Sequence, residues 1–110
     1  MDCIFCKIAV GEIPSNKVYE DDTVLGFYDI QPAAPTHMLF IPKQHIAGVA
    51  EITGENSAIV AHIFEVIANV TKEQGLTDYR VVTNNGTEAG QTVFHLHFHV
   101  LGGTTLKGMC

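Results

Sequence analysis

The chain has 110 residues, enough for one domain with its own core and no need of disulfide staples, and it shows no linker, repeat or low-complexity segment. Twelve acidic against six basic residues give a net charge of −6, which argues against a nucleic-acid polymer as partner but not against a small nucleotide held by amides and imidazoles. No apolar run reaches membrane-spanning length, and Met1-Asp2-Cys3 does not open a charged-then-apolar leader, so the expected setting is the cytoplasm with no membrane partner.

In chain order, residues 3–10 are apolar with mixed period and predict a short helix, stopped by Gly11 and Pro14. Lys17–Glu20 and residues 23–30 predict two strands joined by a turn at Asp21-Asp22, a hairpin. Pro32 and Pro35 place a loop next, and residues 38–42 form a continuous apolar run of central-strand type that Pro42 closes. Residues 43–51 read as irregular, with one helical turn at most. The longest helix is expected over 55–74, capped by Thr53 and stopped by Gly75, with Ile59, Ile63, Val66, Ile67 and Val70 as its apolar stripe and alanines for close packing. A strand over 79–84, a polar loop over 85–91 and a strand over 92–101 complete the chain before a short, loose tail. About five strands, one long helix and one short helix in this order give an α+β class, a single domain over 1–110.

The last predicted strand carries the strongest signal. In His95-Leu96-His97-Phe98-His99-Val100-Leu101 three histidines alternate with apolar residues, so a strand puts the imidazoles on one face and Leu96, Phe98 and Val100 on the other. A single strand histidine is usually a satisfied core residue. Three on one face are costly to bury without a task, which points to a catalytic or metal site. The cysteines are odd in number, so they suggest no disulfide framework. Cys110 reads as a free thiol at the end, while Cys3 and Cys6 form a Cys-x-x-Cys that suits a metal, redox chemistry, or two inert thiols. A tetrahedral zinc would need two more ligands, and His45 and His95 are available.

The triad run resembles the signature of the histidine-triad (HIT) superfamily, three histidines each followed by an apolar residue. Its flanks Asn84-Asn85-Gly86, Gly90-Gln91-Thr92-Val93-Phe94 and Leu101-Gly102-Gly103 agree, as does Asp29-Ile30-Gln31-Pro32-Ala33-Ala34-Pro35-Thr36-His37 upstream. The resemblance covers nearly the whole chain and is nearest to the histidine triad nucleotide-binding (Hint-like) branch. It implies a bent antiparallel sheet and a two-fold homodimer. It also implies a site in which His97 is the nucleophile and His99 and Gln91 are donors to phosphate oxygens. Thr92 would stand near the leaving group, Asn84 by phosphate and ribose, and His37, otherwise an ordinary loop histidine, beside the triad. Asp29, which as a residue could equally form a turn, would accept both ribose hydroxyls. Phe5, Ile8, Phe27 and Ile30 would hold the base, with a purely core role as the alternative. Some bacterial members carry a structural zinc, and Cys3, Cys6, His45 and His95 match its ligand positions, which would make His95 an anchor rather than a reactant. His62 reads as structural or exposed.

The resulting expectation is a hydrolase that cleaves purine nucleoside 5′-phosphoramidates through a nucleotidyl-histidine, with no metal required for catalysis. The alternatives are a Fhit-like dinucleoside polyphosphate hydrolase, and a nucleotide-sensing or partner-binding module with incidental turnover. The tail after Gly103 is short and lacks the tryptophan of eukaryotic Hint proteins, which leaves leaving-group preference open.

Overall fold

The apolar run at 38–42 is the centre of the sheet. In the computed structural model, which describes residues 3–108, it belongs to β3 (Thr36–Pro42). Around it lie β1 (Lys17–Glu20), β2 (Val24–Tyr28), β4 (Tyr79–Val82) and β5 (Phe98–Gly102), in the order β1-β2-β3-β5-β4 with every pair antiparallel. The two helices are α1 (Ile4–Ala9) and α2 (Ser57–Glu73), so the α+β expectation holds. The free-thiol reading of Cys110 lies outside the described residues. No helix is long and apolar enough to cross a membrane.

β3 is buried on both faces because each face has its own cover. Met38 and Phe40 point with Phe98 and Val100 into one cluster, where α2 supplies Ile63, Val66, Ile67 and Val70. Leu39 and Ile41 point the other way, into a second cluster with Leu25, Phe27 and the α1 residues Phe5 and Ile8. Alternation along one strand thus separates a structural core under α2 from a second core under α1. At roughly 25 cal/mol per Å² of apolar surface removed from water, side chains such as Phe40 and Ile63, both wholly buried, contribute about 2 kcal/mol each.

α2 begins two residues later than expected. Thr53 does not cap it; its carbonyl accepts the Asn56 and Ser57 amides and its Oγ1 accepts the Glu55 amide, closing a separate turn before the helix. The helix ends as the sequence suggests. Gly75 takes φ +70°, its N–H donates to Lys72 O, and Leu76 N–H donates to Thr71 O, a Schellman termination that a Cβ would strain.

The triad strand is shorter than expected: β5 starts at Phe98, not at residue 92. Its partner β3 stops at Pro42, which has no N–H for a further ladder rung. The preceding backbone finds other partners. Leu96 N–H donates to Ile46 O at 2.6 Å, and His97 O accepts from Thr83 Oγ1 at 2.8 Å. The alternation survives without the ladder. Leu96, Phe98 and Val100 enter the α2 core, and the three histidines face the α1 side.

His62 ties α2 to the β1–β2 turn. Its Nε2 lies 2.6 Å from Asp21 Oδ2, and the same carboxylate accepts Tyr19 Oη–H and the Thr23 and Val24 amides. The Asp21 hydrogen bond raises the His62 pKa above 6.5; burial pushes the Asp21 carboxyl up, but the bonds from His62, Tyr19 and the two amides outweigh it and hold the carboxyl well below its usual range. A raised histidine pKa gives stability that is complete below the unfolded value and is lost as pH rises through the folded one. A depressed aspartate pKa gives stability that is present above its unfolded value, about 4, and lost on acidification. The tie is therefore strongest between these limits. His62→Ala should lower the melting temperature measurably at pH 5.5 and much less at pH 8.5; an equal loss at both would mean the contact is not ionic.

Candidate functional site

α1 and the β2–β3 connection enclose a cavity of about 330 Å³ on the second face of the sheet. Phe5, Ile8, Phe27 and Leu39 line its apolar part, and Asp29, Thr92, His97 and His99 its polar end. A wider groove of about 670 Å³ runs between Gly75–Arg80 and Gly103–Leu106, but it is open to solvent and holds none of the histidines. The chemistry belongs to the smaller, more enclosed cavity.

His97 is 6 % exposed, with Phe5 packed edge-on at a ring-centroid distance of 5.1 Å. Its Nδ1 lies 2.7 Å from the carbonyl oxygen of His95, which only accepts, so Nδ1 carries the proton and donates it. Nε2 is left as a lone pair with no partner among the described residues, on a side chain that lines the cavity. An imidazole held in one tautomer with a free nitrogen is a competent nucleophile.

His99 and His37 are fixed by a chain of donors. The Ala33 amide donates to His37 Nδ1 at 3.0 Å, so His37 is neutral and its one N–H sits on Nε2. That Nε2 lies 2.9 Å from His99 Nδ1, which accepts, and His99 therefore carries its proton on Nε2 at the cavity. Burial, then the adjacent His97 and His37, lower the His99 pKa to about 4, so at neutral pH the donor is a neutral N–H. Asp29 Oδ2 is 3.5 Å from His37 Nε2. Asp29, His37 and His99 are close enough to form a metal cluster, yet the Ala33 amide and the His37 proton leave no lone pair on His37 for an ion. The lone pair at His97 and the N–H at His99 instead give one nucleophile and one donor, the pair that displacement at phosphorus needs.

The remaining expected site residues divide. Phe5, Ile8, Phe27, Asp29 and Thr92 line the cavity. Ile30 is at its mouth but 94 % exposed, so it forms a rim and not a slot wall. Gln91 is a correction. It is buried, its Oε1 accepts the Gly86 amide, and its Nε2 donates to the Ala47 and Val93 carbonyls, which leaves it no free donor for a phosphate. Asn84 is likewise outside the cavity lining; its amide nitrogen lies beside Gly90. Sequence reasoning missed several contributors, among them Leu39, read only as part of a central strand, Val93, whose alternation with Phe94 could have marked it as inward, and the Ala33 amide, for which a backbone group offers no sequence signal.

Cys3, Cys6, His45 and His95 come together beneath this site, their ligand atoms all within 4.8 Å of one another. The donor set fits zinc in kind, two sulfurs and two imidazoles. The tautomers fit as well. His95 Nε2 donates to Pro42 O at 2.7 Å, so its Nδ1 lone pair points at Cys3 Sγ and Cys6 Sγ, 3.3 and 3.5 Å away. His45 Nδ1 is 3.2 Å from Cys6 Sγ. Burial and the neighbouring Cys3 push the Cys6 thiol up to about 11, the cost of placing two sulfurs side by side that a divalent cation reverses. The His95 Nε2–H donating to the Pro42 carbonyl is also the kind of outer contact that orients a ligating histidine.

A family model described as the scavenger mRNA decapping enzyme C-term binding family matches residues 2–109. An uncharacterised HIT-like protein of Synechococcus elongatus is 49 % identical over 106 residues, 96 % of this chain and 93 % of that protein. Two solved structures are similar throughout. A HIT family hydrolase from Clostridium thermocellum has TM-score 0.94 and 47 % identity, with 98 % of this chain and 96 % of that one covered. A histidine triad protein from Clostridium difficile has TM-score 0.95 and 51 % identity, with 99 % and 96 % covered.

Proposed function

Because this chain belongs to the histidine-triad (HIT) superfamily, we propose that it is a nucleotide-binding hydrolase of the Hint-like branch, acting on nucleoside 5′-phosphoramidates with a preference for purines. Its likeness to a HIT family hydrolase supports the hydrolase reading. The observation that carries the finer reading is the Nε2 of His97, without a partner among the described residues, on a side chain that lines a cavity with apolar walls. Phe5, Ile8 and Phe27 take the base and Asp29 accepts the ribose hydroxyls. His97 Nε2 attacks the α-phosphorus, the P–N bond to the amine breaks, and the amine leaves with a proton taken from solvent, which the attacking water of the second step returns. The His99 Nε2–H donates to a non-bridging oxygen as charge gathers there. Water then attacks the nucleotidyl-His97, and the nucleoside monophosphate leaves with His97 restored.

Cys3, Cys6, His45 and His95 would hold a structural zinc. Bound there, zinc supplies a cross-link, not reaction chemistry, fastening α1 and its Phe5 and Ile8 to the sheet. The active form is a homodimer in the cytoplasm: α2 carries Phe64, 46 % exposed and edge-on to Phe98, and β4 is an open sheet edge. Light scattering at micromolar concentration should give twice the chain mass; a monomer would remove the dimer from this proposal.

The deciding experiment is a panel of nucleoside phosphoramidates and dinucleoside polyphosphates, with steady-state constants for each. Preferential turnover of the phosphoramidates is expected. Preference for the polyphosphates would move the protein to the Fhit-like branch, and nucleotide binding with no turnover would make it a binding module.

A further inference from the structure

The His37 N–H has two acceptors. His37 holds a single proton on Nε2, because an Nδ1 proton would be set against the Ala33 amide N–H. From that Nε2, His99 Nδ1 is 2.9 Å away and Asp29 Oδ2 is 3.5 Å away. Distance favours His99, while a charged acceptor favours Asp29. Asp29 is itself only half engaged: its Oδ1 accepts the Gln31 amide at 2.8 Å, and Oδ2 has no other donor among the described residues.

Which acceptor the proton chooses decides what His99 offers the cavity. With His37 donating to Nδ1, the His99 proton must be on Nε2, where it meets an anionic oxygen as a donor. With His37 turned to Asp29, nothing fixes the His99 tautomer. The form protonated on Nδ1 would then face the phosphate with a lone pair, which repels it.

We propose that Asp29, His37 and His99 form a relay through which the sugar hydroxyls of a bound nucleotide set the tautomer of His99. The inference rests on the nucleotide-hydrolase reading and on the ribose contact of Asp29. Hydroxyls that donate to Asp29 satisfy the carboxylate and withdraw it from His37. The His37 N–H then commits to His99 Nδ1, and His99 presents Nε2–H to the phosphate. Asp29 and His37 act here as positioning residues, and the sugar is read in the rate of the chemical step as well as in affinity.

The test compares adenosine 5′-phosphoramidate with its 2′,3′-dideoxy counterpart, in single-turnover reactions at saturating wild-type enzyme. Histidine ¹⁵N spectra are recorded with adenosine monophosphate and with dideoxyadenosine monophosphate. The dideoxy substrate should react roughly tenfold or more slowly at saturation, part of the roughly hundredfold that losing one such donor outright costs. His99 should show a single Nδ1-acceptor tautomer with the ribonucleotide and a mixture with the dideoxynucleotide. Equal saturated rates would overturn the relay, leaving Asp29 as a binding group alone. A slower rate with unchanged His99 spectra would also overturn it, since the loss would then be simple misplacement of the substrate. Failure to turn over either substrate would instead strike at the proposed function.

Discussion

His97→Ala should reduce phosphoramidate turnover at least about a hundredfold, with nucleoside monophosphate binding kept within a few-fold. Loss of a covalent route raises the barrier by several kcal/mol, and each 1.36 kcal/mol is tenfold in rate. Binding is expected to survive because the base and ribose contacts proposed above lie elsewhere in the cavity lining, on Phe5, Ile8, Phe27 and Asp29. The side chain packs against Phe5, so the variant will lose some stability, and circular dichroism and the affinity measurement must accompany the rate. A variant that stays folded, binds nucleotide and retains more than about a hundredth of the wild-type rate would mean His97 is not the nucleophile.

The second large effect concerns the metal. Protein purified without chelator should contain about one zinc per chain. The Cys3→Ala, Cys6→Ala double variant should contain none and should lose several kcal/mol of stability, since binding energy at such sites is folding energy. Phe5, Ile8 and Ala9 pack the α1 segment on the sheet, but a six-residue helix is marginal without tertiary support. Freed, α1 takes with it Phe5 and Ile8, two walls of the cavity proposed to hold the base, so nucleotide affinity should fall while the His97–His95 hydrogen bond and the proposed His97 chemistry remain. Metal loss without any change in melting temperature would make the site fortuitous. Full metal retention would place the ligands elsewhere, and the roles of the triad would have to be reassigned.

Much of this was legible because it is periodic. The alternation from His95 to Val100 fixed which side chains share a face, and that held even where the ladder did not form. The length of the strand was not legible, because it depends on where β3 stops and on Ile46 O taking the Leu96 amide, a contact fifty residues apart in sequence. The four zinc-type ligands were legible by type and by resemblance, while the tautomer that aims His95 Nδ1 at the cysteines comes from Pro42 O, a backbone group. Gln91 misled for a similar reason. Its amide suits a phosphate, but Gly48 brings the 46–50 loop so close to Asn85 and Gln91 that a Cβ there would be 2.7 Å from Asn85 Oδ1, and the Gln91 amide closes that contact from the inside. The contacts of His37 with Asp29, His99 and the Ala33 amide join separate segments of the chain, so only the folded chain displays them.

The central claim is that phosphorus is carried by His97. Rapid quench into alkaline denaturant during turnover of adenosine 5′-phosphoramidate, followed by peptide mapping under conditions that preserve P–N bonds, tests it directly. The account predicts one adenylyl group on the peptide containing 95–99, located on His97 and absent from the His97→Ala protein. An adenylyl group on His99 or His95, or a burst of amine release with no adduct on any histidine, would contradict it.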